Sequence, residues 1–150
     1  MELIRFSPEY NEICASSLRR VFSSEPFCIP SLEASVISSY ISDLEKRPNS
    51  LNFALLDEGA FTGAVFGDIE RLFVKPFYCV NELFIDPDHQ GKGMGAYILK
   101  MLETVLSKEY GVQFISLLTR KDIPAFDFYE HNGFRCSDAT VHMTKILQPV

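Results

Sequence analysis

Hydrophobic and polar positions fall into two rhythms along the chain, and their alternation lays out its elements. Glu-Leu-Ile-Arg-Phe at residues 2–6 reads as a first strand. Ser7-Pro8 offers an N-cap followed by proline at the first helical position, and Tyr10, Ile13, Cys14, Leu18 and Val21 form one helical face. Ser23 to Pro30 is a connection. Ser31 is expected to cap a second helix, whose stripe is Leu32, Val36, Ile37, Tyr40, Ile41 and Leu44, and Pro48-Asn49-Ser50 stops it. Leu51 to Leu56 and Ala60 to Phe66 read as a hairpin around Asp57-Glu58-Gly59. Leu72-Phe73-Val74 extends the third strand if Gly67-Asp68 is a bulge or corner.

Tyr78 to Ile85 is aromatic and β-branched, a fourth strand ended by Asp86-Pro87-Asp88. The next helix has its buried stripe at Ile98, Leu99, Leu102, Val105 and Leu106. Val112 to Thr119, apolar almost throughout, reads as a buried fifth strand. Asp122 is a plausible N-cap for a short helix with Pro124 in its first turn and Gly133 at its left-handed end. Ala139 to Leu147 alternates as a last strand, after a sixth that begins at Phe134. The predicted order is β-α-α-β-β-β-α-β-α-β-β, with no repeat or linker, and the chain is expected to be one domain over residues 1–150.

Gln90-Gly91-Lys92-Gly93-Met94-Gly95 lies between the fourth strand and the long helix. Glycines at such a junction leave backbone N–H groups uncovered, and the helix dipole favours an anion there. A phosphorylated ligand is one reading, and a glycine-rich turn without ligand is the other. A P-loop requires Ser or Thr after Gly-Lys, and Gly93 stands there. A Rossmann fingerprint requires G-x-G-x-x-G, whereas this loop has G-x-G-x-G. Gln90, Gly93 and Gly95 do fill Q/R-x-x-G-x-G/A. That pattern resembles the pyrophosphate loop of the GNAT superfamily of acyl-CoA-dependent N-acyltransferases. Downstream, Ala125, Tyr129, Gly133 and Phe134 match the same superfamily's N-x-x-A-x-x-x-Y-x-x-x-G-F segment, with Asp122 in place of the usual Asn. The resemblance covers about Tyr78 to Phe134, and earlier residues match only in their order of elements.

The resemblance implies an α+β, three-layer fold: a mixed, mostly antiparallel twisted sheet with helices on both faces. It implies an acetyltransferase using acetyl-CoA and no metal. The coenzyme would meet the loop residues Gln90, Gly91, Lys92, Gly93, Met94 and Gly95, the open edge of the fourth strand at Leu83, Phe84 and Ile85, and Asp122, Ala125 and Phe128. Tyr129 would protonate the departing thiolate. A non-catalytic acyl-CoA sensor on the same fold is the alternative, needing neither base nor acid.

Transfer to an amine also needs a base, because an alkyl ammonium with a pKa of about 10 has no free lone pair. Glu82 is the candidate, a carboxylate flanked by Leu83, Phe84 and Ile85. Burial would raise its pKa towards the useful range. The bland alternative is a solvated or ion-paired glutamate. Asp86 and Asp88 are expected to shape the turn, Asn81 could contact the acceptor, and His89, Lys92, Arg120 and Lys121 are candidate cations near the phosphates. Phe22, Phe27 and Ile29 suggest an apolar acceptor wall, and Glu25 and Glu33 could attract a cation.

Composition narrows the classes. The 150 residues are 47% hydrophobic, enough for a sizeable core, and the net charge of −6 argues against a nucleic-acid partner. Arg19-Arg20 and Lys46-Arg47 read as solvated helix ends. No apolar run approaches the ~18 residues of a membrane span, and no signal peptide is visible, so no membrane partner and a cytoplasmic location are expected. The four cysteines, at 14, 28, 79 and 136, have no zinc spacing, and Cys14 and Cys79 read as buried thiols. The expected partner is a small-molecule or peptide amine, bound by a monomer or homodimer.

Overall fold

The computed structural model describes residues 1–73 and 75–147, which fall into two compact units, Met1–Thr119 and Arg120–Val150. The first unit holds a single open sheet in the order β1 (Glu2–Arg5), β2 (Phe53–Asp57), β3 (Ala60–Leu72), β4 (Lys75–Ile85), β5 (Ile115–Leu117). The first three pairings are antiparallel and β4–β5 is parallel. Helices α1 (Asn11–Ser23) and α2 (Ala34–Glu45) cover one face, and α3 (Met94–Tyr110) covers the other. This is the expected mixed, mostly antiparallel, three-layer arrangement. No described helix is long and apolar enough to cross a membrane.

Strand alternation feeds two cores. Phe53, Leu55, Val65, Tyr78, Val80 and Ile85 pack with Met94, Ile98, Leu102 and Leu106 of α3. Ala64, Phe66 and Phe84 pack with Cys14, Leu18, Ile37, Ile41 and Leu44 of α1 and α2. In β4 this parity changes midway. Tyr78 and Val80, even-numbered, face α3, and so do Leu83 and Ile85, odd-numbered. The cause is one extra residue: Phe66 pairs with Glu82 and Gly67 with Val80, leaving Asn81 as a bulge. Gly67 opposite is required, since a Cβ there would stand 2.6 Å from the Cys79 carbonyl oxygen and against the Tyr78 ring. That ring is fixed in turn, because its hydroxyl donates to the Leu51 carbonyl at 2.6 Å.

Several sequence expectations are corrected. Ser7 precedes a short 3-10 turn, Pro8–Tyr10, before α1 begins at Asn11, and its hydroxyl bonds Glu9 rather than a helix N–H. Ser31 does not cap α2. Its φ of 65° belongs to a left-handed turn, and Glu33 occupies the N-cap position. The bulge suspected at Gly67-Asp68 lies across the ladder on β4, so β3 runs unbroken to Leu72. Phe73 turns with φ of 59°, and Val74, the last residue of the expected extension, lies outside the described residues.

The fifth strand is three residues long, not eight, because only Tyr78 to Val80 offers it a ladder; Phe114 and Leu118 flank it exposed. No strand forms among the described residues after Phe134. Val141, Met143, Ile146 and Leu147 are 77–93% exposed, so their alternation marks amphipathic spacing without a neighbouring strand to pair with.

Gly67→Ala is expected to lower stability by about 1–3 kcal/mol, the cost of overpacking against backbone. Urea denaturation measures it, and an unchanged midpoint would contradict the close approach.

Candidate active site

The bulge decides where Glu82 goes. Uninterrupted alternation from Tyr78 and Val80 would aim it into the α3-side core. With Asn81 inserted, Glu82 shares the α1/α2 face with Phe84 instead. There the Tyr40 hydroxyl of α2 donates to Glu82 Oε2 at 3.1 Å. Burial pushes the Glu82 carboxyl up to about 7, against the opposing pull of that hydrogen bond and of the Leu83 N–H. Burial and the adjacent carboxylate also raise the Tyr40 phenol, so it stays a donor.

The bulge is itself clamped. Arg47 Nη1 donates to Asp68 Oδ2 at 2.8 Å and to Asn81 Oδ1 at 3.0 Å, and Asn81 Nδ2 donates to Asp68 Oδ2 at 2.6 Å. Asn81, a candidate acceptor contact by sequence, therefore spends its side chain holding the bulge. Arg47 is an ion-pair partner rather than a solvated helix end.

Beyond the bulge no described strand pairs with the second edge of β4, which is free among the described residues. Its parallel pairing with β5 stops at Val80, while its pairing with β3 continues to Ile85. Asp86 donates its N–H to the Thr62 carbonyl of β3, so by alternation the N–H groups of Leu83 and Ile85 point the other way, towards the free edge. Phe84 differs: its backbone faces β3 and its side chain is buried in the α1/α2 core. The Ile85 carbonyl on the free edge accepts from Gln90 Nε2 at 3.0 Å, which ties the glycine loop to the strand end.

Gly91 and Gly93 take φ of 72° and 77°, the left-handed region, and Gly93 is the N-cap of α3. Tyr97 is the first residue of α3 whose N–H bonds back, to the Gly93 carbonyl, so the N–H groups of Met94, Gly95 and Ala96 lack an intrahelical acceptor. Apart from the adjoining residues of the chain, no described atom lies within 4 Å of where a Gly91 or Gly93 Cβ would stand. The loop thus presents a cradle of donors at a positive helix end, suited to a phosphate oxygen. Met94 contributes only its backbone, because its side chain is in the core, and the Lys92 ammonium folds back onto the Asp88 carbonyl at 2.8 Å.

Asp86 anchors this end of the strand. It is 8% exposed and accepts from Ser17 Oγ at 2.7 Å, from the Asp88 N–H at 3.0 Å and from Arg20 at 3.2 Å. Burial alone would raise its carboxyl; the Ser17 bond and these other donors outweigh it and hold the carboxyl below the usual range. Arg20 also pairs with Asp88 at 2.8 Å, so it too is a clamp between α1 and the turn. Sequence reading missed both arginines because their partners lie far along the chain, which no local periodicity signals.

In the second unit, α4 (Pro124–His131) ends in a left-handed Gly133, with Phe134 N–H bonded to the Tyr129 carbonyl and Gly133 N–H to that of Glu130. The half-buried Tyr129 ring packs between Phe128 and Phe134, with centroids 5.2 and 5.3 Å away. Asp122 is not the N-cap; Ile123 holds that position. The Asp122 carboxylate instead takes a two-pronged bond from Arg120 at 2.5 and 2.9 Å, which also occupies one proposed phosphate cation. Ala125 and Phe128 are half-buried. All four cysteines are free; Cys14 is fully buried and Cys79 only partly so.

Residues 49–136 match the family model described as an acetyltransferase (GNAT) domain. No curated protein matches the chain significantly. Among solved structures, a "possible acetyltransferase" from Clostridium difficile 630 superposes with a TM-score of 0.81 at 13% identity, covering 98% of each chain. An aminoglycoside acetyltransferase from an uncultured soil metagenomic sample, in complex with sisomicin, gives 0.71 at 21% identity over 98% of this chain and 96% of its own. An aminoglycoside antibiotic 6'-N-acetyltransferase from Acinetobacter haemolyticus gives 0.70 at 13% identity over 99% and 100%. At these identities the structural likeness establishes the fold.

The Glu82 carboxyl makes stability depend on pH. It ionises near 7 in the fold against 4.5 ordinarily, so between those values the folded chain holds the extra proton. Its contribution is present below the lower value and is lost as pH rises through the upper one. Glu82→Gln removes that loss. The stability of the parent relative to Glu82→Gln should fall by about 1–3 kcal/mol between about pH 5 and pH 8, read from urea midpoints. A pH-independent difference would place Glu82 in water.

Proposed function

We propose, since this chain belongs to the acetyltransferase (GNAT) family, that it moves an acetyl group from acetyl-CoA to a primary amine by direct attack on the thioester. The observation that carries this reading is Glu82: a carboxyl with a pKa near 7, held by Tyr40, beside the free edge of β4. A base with that pKa is half ionised at neutral pH and can take a proton from an ammonium, directly or through one water.

The other demands have candidates on β4, on the glycine loop and, by sequence motif alone, at Tyr129 of α4. The N–H groups at Gly91, Gly93 and the first turn of α3 would hold the coenzyme's pyrophosphate. Backbone groups of β4 beyond the bulge that face away from β3 would pair with its pantetheine arm, laying the thioester along that edge. A backbone N–H of β4 on that edge would stabilise the oxyanion that forms on attack. The new C–N bond then replaces the C–S bond. The ammonium gives one proton to Glu82 before attack and a second to water once the C–N bond has formed; the thiolate takes a proton from the Tyr129 hydroxyl, which water restores, a role that rests on the Ala125-Tyr129-Gly133-Phe134 motif. The aminoglycoside acetyltransferases among the structural neighbours favour a small-molecule amine acceptor. The face bearing Glu82 and Tyr40 is the acceptor side in this reading.

The test is release of free thiol from acetyl-CoA in the presence of an amine library. Amine-dependent release above hydrolysis is expected, with kcat/KM rising along a limb centred near 7. In Glu82→Gln that limb should vanish and the rate fall by about 10²–10⁴; in Tyr129→Phe kcat should fall by about 10²–10³. Release that no amine stimulates would leave a coenzyme-binding sensor. A limb that survives Glu82→Gln would assign proton removal to another group.

A further inference from the structure

The glycine loop occupies one end of α3. The 17 residues of that helix carry its other end about 25 Å away. There an open cavity of about 450 Å³ is lined by Arg5, Arg71, Asn49 and Tyr110, with Leu51 and Ile69 forming apolar parts of its wall. Its construction is a consequence of strand alternation. Leu3 of β1 and Ile69 of β3 pack against the α3-side core. Two residues further along each strand, where α3 ends at Tyr110, the same face is occupied by Arg5 and Arg71. The core has run out at this edge, and two guanidiniums take its place.

Neither arginine has an ion-pair partner among the described residues, whereas Arg20, Arg47 and Arg120 each pair with an aspartate. That contrast matters in a chain with 20 acidic and 14 basic side chains, where carboxylates are abundant. Arg5 is nonetheless positioned. Its guanidinium lies 5.5 Å from the Phe53 ring centroid, and its Nη1 reaches the Tyr110 hydroxyl at 3.5 Å. Two cations lining one cavity repel, and an anion between them would relieve that repulsion.

We propose that this cavity is a binding site for a small organic dianion, carrying phosphate or carboxylate groups, separate from the coenzyme and acceptor sites. The planar guanidinium forks of Arg5 and Arg71 match either oxyanion in paired hydrogen bonds. The Asn49 amide and the Tyr110 hydroxyl add neutral donors, and Leu51 and Ile69 accept a short carbon skeleton. The volume lies within the range of small-molecule sites, about 300–1,000 Å³.

The glycine loop could also attract phosphate, so the experiment must locate the ligand as well as detect it. The ¹⁵N-labelled protein is titrated with inorganic phosphate and, separately, with succinate, while backbone amide shifts are followed. Saturable shifts at Ser50, Ile69, Arg71 and Tyr110 are expected with at least one probe. Affinity there should fall about tenfold or more in Arg71→Gln and less in Arg71→Lys, which keeps the charge but loses the fork. Arg5→Gln should weaken the same shifts, and any response at Gly91 to Gly95 should persist in all three variants. The two probes separate phosphate from carboxylate recognition. Shifts confined to Gly91 to Gly95, shifts that never saturate, or affinity unchanged in folded Arg71→Gln and Arg5→Gln would overturn the proposal and return both arginines to solvated cations beside the negative end of α3.

Discussion

One extra residue in β4 organises this molecule. The bulge at Asn81 shifts the parity of the strand, and the placement of Glu82 and of the open edge depends on that shift. Before it, Tyr78 and Val80 feed the α3-side core. After it, Glu82 turns to the opposite face and meets Tyr40. The pairing with β5 ends at the same place, opening an edge on which Leu83 and Ile85 present their N–H groups. Bulges bend and twist a strand as well as reversing its faces, so one insertion both re-aims the carboxylate and ends the ladder. An unpaired residue in a ladder is not stable by itself. The close approach of Gly67 to Tyr78, and the Arg47–Asp68–Asn81 cluster, stabilise it here.

A second clamp fixes the turn at the end of the strand. Asp86 gathers Ser17, Arg20 and the Asp88 N–H, and so joins α1 to the turn that leads into the glycine loop. Gln90 bonds back to Ile85, and Gly93 starts α3. Glu82, the strand edge beyond the bulge and the glycine loop are thereby set by a few connections between the end of β4 and its neighbours. Preorganised donors of this kind need no rearrangement when charge develops. The electrostatic part of the proposed mechanism therefore draws on groups already in place in this unit.

Much of this was legible in the sequence because it depends on local pattern. The strand–glycine–helix junction showed itself through a change of period and the spacing of Gly91, Gly93 and Gly95. Glu82 stood out as a charge among apolar strand residues. The features that stayed hidden depend on pairing. A bulge moves a side chain to the other face without changing any residue's chemistry, and only Gly67, on the neighbouring strand, hinted at it. Tyr40 read as one more residue of a buried stripe. Arg20 and Arg47 read as helix ends because Asp86 and Asp68 lie 66 and 21 residues away. At the C-terminus the error ran the other way: Ala139 to Leu147 alternates, but alternation reports which residues could share a face and not whether a partner strand exists.

The central claim is that the bulge turns the half-buried Glu82 towards Tyr40 and keeps its proton until near neutrality. The most direct measurement is the side-chain carboxyl ¹³C shift of Glu82 as a function of pH, assigned by comparison with Glu82→Gln. A midpoint near 7 is predicted. A midpoint near the ordinary 4.5 would mean that the carboxylate stands in water, and would contradict the account.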